Sequence, residues 1–186
     1  MSEEDARFGR CAVPTEHLGI YPHEIIPPKS LVTLTDETAP MIRSFFNLAQ
    51  EQTLFTPIPI SVHVLWIMDC SCKIHLALEE MIDITRDNAV IGVLPKASSA
   101  QPPRGSFKKP GHPTLLPKGE TDARIAGEIY FDPEKDPSGK RLWCLTNESG
   151  RYGLRAGQSR DHLEAICGIF EEFELYFSMR YVKPTA

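Results

Sequence analysis

Apolar residues recur along this chain in two rhythms, and each predicts a kind of element. Met41, Ile42, Phe45, Phe46 and Ala49 fall three and four residues apart, on one side of a helix over residues 38–52. Pro40 is tolerated in its first turn, and that face is expected to be core. Residues 60–68 (ISVHVLWIM) are β-branched and almost wholly apolar, as in a central strand covered on both faces. A tight turn over 69–71 leads into KIHLAL at 73–78, which alternates and so predicts the return strand of a hairpin. Residues 79–84 fit either a short helix or more strand, and 89–94 (AVIGVL) predict another short strand.

The second half is more regular. ARIAGEIYF at 123–131 and RLWCLT at 141–146 read as strands joined by the turn-rich DPEKDPSG. Ser159 is placed to cap a helix, with Asp161 in its first turn and Leu163, Ile166, Cys167 and Phe170 on one stripe. Residues 175–182 predict a last strand, ended by Pro184. Ahead of residue 35 the chain reads as irregular, because Pro14, Pro22, Pro27 and Pro28 exclude a long helix; LVTL at 31–34 is the exception, a short strand. Residues 95–113 are rich in Pro, Gly, Ser and Lys and predict a flexible loop. Together these imply an α+β fold: a mainly antiparallel β-sheet with an N-terminal and a C-terminal helix packed against it. The 186 residues suit a single domain over 1–186, with a hairpin–helix–strand module at 111–182.

Composition narrows the function classes. A net charge of −5, with its one local basic excess at Arg104–Lys109, argues against a nucleic-acid partner, whose binding needs a concentrated basic face. No run approaches the roughly 18 apolar residues that span a bilayer, and the acidic start MSEEDARFGR lacks the apolar core of a signal peptide. No membrane association and a cytoplasmic location are therefore expected. The five cysteines, odd in number and without framework spacing, are expected as reduced thiols.

Two clusters carry candidate chemistry. Cys70, Cys72 and His75 offer soft ligands, but C-x-C is not a usual zinc spacing, and in a strand Cys72 and His75 point to opposite faces. No metal and no other cofactor is expected. Cys11, Cys144 and Cys167 read as structural thiols rather than nucleophiles. The second cluster is His112, Thr114, Glu128, Ser149, Arg151 and Tyr152. Ala126, Glu128 and Tyr130 share one strand face, and Gly127 beside them permits close approach of a ligand or another backbone. Arg151 brings a planar fork for carboxylate or phosphate. Two readings stand for the set: Arg151 simply pairs with Glu128 and locks the hairpin, which is the plainer one, or the residues are candidates for binding an anionic ligand or a partner.

GHPTL at 111–115, AGE at 126–128 and ESGRY at 148–152 occur in that order and resemble a GH-x-S-L…AGE…SGHY-x-P module. The module belongs to bacterial effector- and toxin-like proteins and to plant IQ-motif calmodulin-binding proteins. The likeness spans about residues 111–182. Thr114 stands for Ser, Arg151 for the second His, and Gly153-Leu154 for x-Pro. An arginine cannot serve as a general base, since it stays protonated. The resemblance implies a compact fold and a link to bacterial conflict or effector systems. The leading expectation is a cytosolic immunity or accessory protein that binds a protein partner; calmodulin is not expected as that partner. The alternatives are an effector-type transferase or hydrolase with a cleft around His112, Glu128, Arg151 and Tyr152, and a sensor of a small anionic ligand or nucleotide.

Overall fold

The longest apolar run does become the centre of the sheet, because only a strand flanked on both sides buries every residue of such a run. The computed structural model describes residues 2–12, 19, 21–48, 62–86, 89–93, 106–132, 134 and 141–184. In chain order its elements are α1 (Glu3–Phe8), β1 (Val32–Thr33), α2 (Ala39–Asn47), β2 (Val64–Asp69) and β3 (Ile74–Leu78). Next come β4 (Glu80–Asp83), β5 (Ala89–Val93), β6 (Phe107–Lys108), β7 (Ala123–Phe131), β8 (Trp143–Thr146), α3 (Arg160–Glu172) and β9 (Ser178–Arg180). Six strands form the main sheet in the order β1-β3-β2-β7-β8-β9, and a second sheet runs β5-β4-β6. All pairings are antiparallel except β8 with β9. The α+β class with helices at both ends is thus the architecture found.

The two faces of the main sheet divide the labour. One face carries Trp66, Met68, Ile74, Leu76, Ile125, Ile129, Trp143 and Leu145. Onto it α2 packs Ile42 and Phe46, α3 packs Leu163, Ile166 and Phe170, and α1 contributes Phe8. Ser159 caps α3, accepting from the His162 N–H, so this helix begins where its sequence predicts. The opposite face carries Leu65, Ile67, Ala77 and Ala126, covered by Leu115, Leu116 and Tyr152. The register puts Leu65 opposite Glu128, Ile67 opposite both Ala126 and His75, and Thr33 opposite His75. All of these side chains therefore project on that second face.

Several local expectations are corrected. The irregular N-terminus contains α1, whose Ser2 and Asp5 form a reciprocal capping box. Of the two readings open for residues 79–84 the strand is the one found, as β4, which leaves the main sheet and joins the second. Within the stretch read as loop, Phe107–Lys108 pair with β4. Helix α2 exposes Met41, which sits one position beyond the Ile42–Phe46 stripe; Ala49 lies outside the described residues. The last strand runs parallel to β8, because α3 carries the chain back across the sheet before β9 begins. Cys11 and Cys70 are joined in a disulfide with Cα atoms 5.3 Å apart, within bridging reach. The N-terminal segment pairs Ala12 with Ala123 beside the β2–β3 turn, and this long-range approach brings the two sulfurs together. Cys72, Cys144 and Cys167 keep thiols; burial pushes the Cys167 thiol up to about 12 and raises that of Cys144. No helix among the described residues is long and apolar enough to cross a membrane.

Candidate ligand-binding site

The segments that stand out in the sequence are first of all a scaffold. Gly127 lies opposite Trp66, and a Cβ built on it would sit 1.8 Å from the carbonyl oxygen of Thr146. The absent side chain lets the Trp66 indole N–H reach across β7 and donate to that oxygen at 3.0 Å. Gly153 is under the same restriction, since its Cβ would meet Asn147 O at 2.0 Å and Ala126 O at 2.3 Å. Between them Asn147, fully buried, ties the turn to the end of the chain. Its Nδ2 donates to Gly153 O at 2.9 Å and Val182 O at 2.8 Å, and its Oδ1 accepts from Val182 N at 2.7 Å. Close approach at Gly127 is therefore by backbone, one of the two occupants its sequence setting allows.

The six candidate residues divide among different surroundings. Tyr152 is buried and donates its hydroxyl to Thr121 O at 2.8 Å. Ser149 is buried in the same turn, its Oγ accepting from the Tyr152 N–H. Thr114, in a 3₁₀ turn over His112–Leu115, returns its hydroxyl to Gly111 O. Arg151 places Nη2 on both carboxylate oxygens of Glu24, at 3.1 and 3.2 Å. It does not pair with Glu128, whose carboxylate lies 2.8 Å from Nδ1 of His63. His112 and Glu128 act on each other electrostatically across β7. His112 Nε2 lies 2.9 Å from Gly127 O. Burial lowers the His112 pKa, against the pull of the Gly127 carbonyl and the Glu128 charge. For Glu128, burial works upward, but the His63 hydrogen bond and the nearby His112, His63 and Lys109 carry the net shift below the ordinary carboxylate value.

A cleft of about 700 Å³ opens on the second sheet face. Its walls are Ile25, Ile26, Pro27 and Leu31 from the N-terminal segment and residues 113–117 from the 3₁₀ turn and its exit, with Lys118 and Glu120 also lining it. Glu24 and Thr114 line it as well, so two sequence signals, Thr114 directly and Arg151 through Glu24, border the same space. Thr33 and His75 complete the lining. Thr33 Oγ1 lies 2.9 Å from His75 Nδ1, and His75 Nε2 lies 2.9 Å from Asp69 Oδ2. Asp69 is itself anchored, its Oδ1 accepting from Lys73 N at 2.9 Å in the β2–β3 turn.

Both ring nitrogens of His75 are engaged, by Thr33 and Asp69, and Cys70 is in the disulfide. Cys72 lies in the β2–β3 turn, ahead of β3, with a left-handed backbone (φ 63°), and packs against the helix-covered core. Among the described residues no group of three or more His, Cys, Asp or Glu is placed to hold a metal ion. Thr33 and Asp69 belong to no motif legible in the sequence. Their one signal is the alternation that puts Thr33 and His75 on one face if β1 and β3 pair. No family model matches the chain, and comparison with curated proteins and with solved structures gives no match.

Proposed function

We propose that this chain is a binding protein that takes a small, mostly apolar organic molecule into the cleft beside Thr33 and His75. The supporting observation is the cleft itself: about 700 Å³, apolar on most sides, with one buried polar chain at its wall. That size and lining suit a small-molecule site. The polar chain defines which group is recognised. Asp69 as a carboxylate can only accept, so Nε2 of His75 carries a hydrogen; in the neutral ring Nδ1 accepts the Thr33 hydroxyl proton. Thr33 Oγ1 then turns its lone pairs to the cleft, and the ligand group that meets it is electron-poor, a hydrogen-bond donor or a carbonyl carbon.

The test uses N-phenyl-1-naphthylamine, an apolar fluorophore with one N–H donor. Saturable binding is expected to the wild-type chain and not to Ile26→Trp, which fills the cleft from its surface. Equal affinity in both, or no saturable binding to either, sinks the reading.

A protein partner inserting a side chain into the same cleft is the second reading. It is favoured by Tyr21 and Ile25, exposed at 64% and 68% on the segment that forms the wall. A role in bacterial conflict systems has the resemblance of residues 111–182 as its support. Co-expression with a candidate toxin, read as protection that Ile25→Glu abolishes, tests both points.

A further inference from the structure

We infer that Thr33, His75 and Asp69 form a nucleophilic relay, and that the cleft accepts carboxylic esters and transfers their acyl group to Thr33. This rests on the cleft being a ligand site and goes beyond it by assigning a reaction. An activated hydroxyl nucleophile needs a base within hydrogen-bond reach and a third group that orients the base. All three are present at 2.9 Å spacings. The nitrogens are exchanged relative to serine hydrolases, with the hydroxyl on Nδ1 and the carboxylate on Nε2, but either imidazole nitrogen can take a proton.

Burial and rigidity separate this chain of groups from a surface contact. His75 and Asp69 are buried, while Thr33 is partly exposed and lines the open space. Thr33 is held from both sides. Its cross-strand partner is His75 itself, and its carbonyl accepts the Thr38 hydroxyl at 2.6 Å. Lys118 is the cation among the lining residues, available to a carbonyl oxygen as negative charge develops. The apolar walls select an uncharged ester with a hydrocarbon acyl chain.

In the first step Oγ1 of Thr33 bonds to the ester carbonyl carbon, its proton passes to Nδ1 of His75, and the carbonyl π pair moves to oxygen. Collapse of the tetrahedral species breaks the carbon–alkoxy bond, and the departing alkoxide takes the proton from Nδ1. Water then attacks acyl-Thr33, gives a proton to His75, and releases the acid as Oγ1 recovers it. The net change is ester plus water to acid plus alcohol. Asp69 is a positioning residue that holds the ring and stabilises the imidazolium.

The experiment treats the full chain with p-nitrophenyl hexanoate and follows p-nitrophenolate, intact mass and the peptide that carries the acyl group. Expected are a burst, one hexanoyl group on the peptide bearing Thr33, its loss in Thr33→Val, and its retention in Thr33→Ser. Asp69→Asn should slow acylation by about 100-fold or more and alter its pH profile, a change that weaker folding alone would not produce. N-phenyl-1-naphthylamine binding is measured on every variant. Binding in the wild type with no acyl group, an acyl group on a lysine instead, or Thr33→Val reacting at the wild-type rate overturns the relay and leaves the cleft reading standing. Absence of binding in the wild type overturns both.

Discussion

Replacing Gly127 by alanine adds a single carbon at a place where two backbones already touch. The new Cβ would lie 1.8 Å from Thr146 O, 2.7 Å from Thr146 C and 2.8 Å from Asn147 Cα. Ordinary contact begins at 3.4 Å, so the end of β8 must retreat by about 1.6 Å. None of the three atoms belongs to a flexible side chain that could rotate away. Retreat also pulls Thr146 O off the Trp66 indole, whose N–H is fully buried and has this oxygen as its acceptor. Overpacking of this kind costs about 1–3 kcal/mol, and a stranded buried donor about 1–3 kcal/mol more. Together these give an expected loss of about 2–6 kcal/mol. At roughly 2–4 °C per kcal/mol for a chain of this size, the melting temperature should fall by about 4–24 °C. Thermal unfolding followed by near-UV circular dichroism, which senses the Trp66 environment, is the assay. A melting temperature within about 2 °C of wild type, less than 1 kcal/mol would produce, with an unchanged near-UV spectrum, would refute the close-approach account of the AGE segment.

Three further expectations rest on the same kinds of interaction. Asn147→Ala removes one buried and two partly buried hydrogen bonds from the turn and the C-terminal segment, and should cost about 2–4 kcal/mol in urea unfolding; a cost below about 1 kcal/mol would mean the turn holds itself. Cys70→Ser, or reductant on the wild type, should lower stability by about 2–4 kcal/mol, because the disulfide closes a loop between residues 59 apart; equal melting with and without reductant counts against the bridge. Acid should destabilise in two ranges. The folded-state pKa of His112 is lowered, so the unfolded chain binds its proton first and stability falls as pH drops below about 6.5. Glu128, also lowered, contributes stability that is lost as pH falls through and below the ordinary carboxylate range near about 4.3. His112→Gln should flatten the first range and leave the second, and a profile unchanged by that substitution would contradict the assignment.

The candidate site was legible only in part. The attention that AGE and ESGRY draw is warranted, yet the reason lies in packing: Gly127 and Gly153 let backbones meet, and Tyr152 fills the second face. Arg151 does form a charge-assisted contact, but with Glu24, a residue 127 positions away that no spacing rule connects to it. The Ser2–Asp5 capping box was readable and marks α1, though the prolines downstream draw the eye elsewhere. The Cys11–Cys70 pair was not readable, because an odd set of cysteines leaves the pairing to the path of the chain.

What the sequence determined by itself is the local and periodic part. The apolar run becomes the central strand β2, alternation becomes β3, and the Ser159 cap and its stripe become α3. Each is dictated by contacts within a few residues or by which side must be dry. Tertiary structure decided what depends on distant segments meeting. The β1–β3 pairing lines up Thr33 with His75, the crossover makes β9 parallel, and the N-terminal segment closes a wall of the cleft and brings Glu24 to Arg151. Periodicity says which face a residue joins; only the order of strands in the sheet says which residues share that face at contact distance.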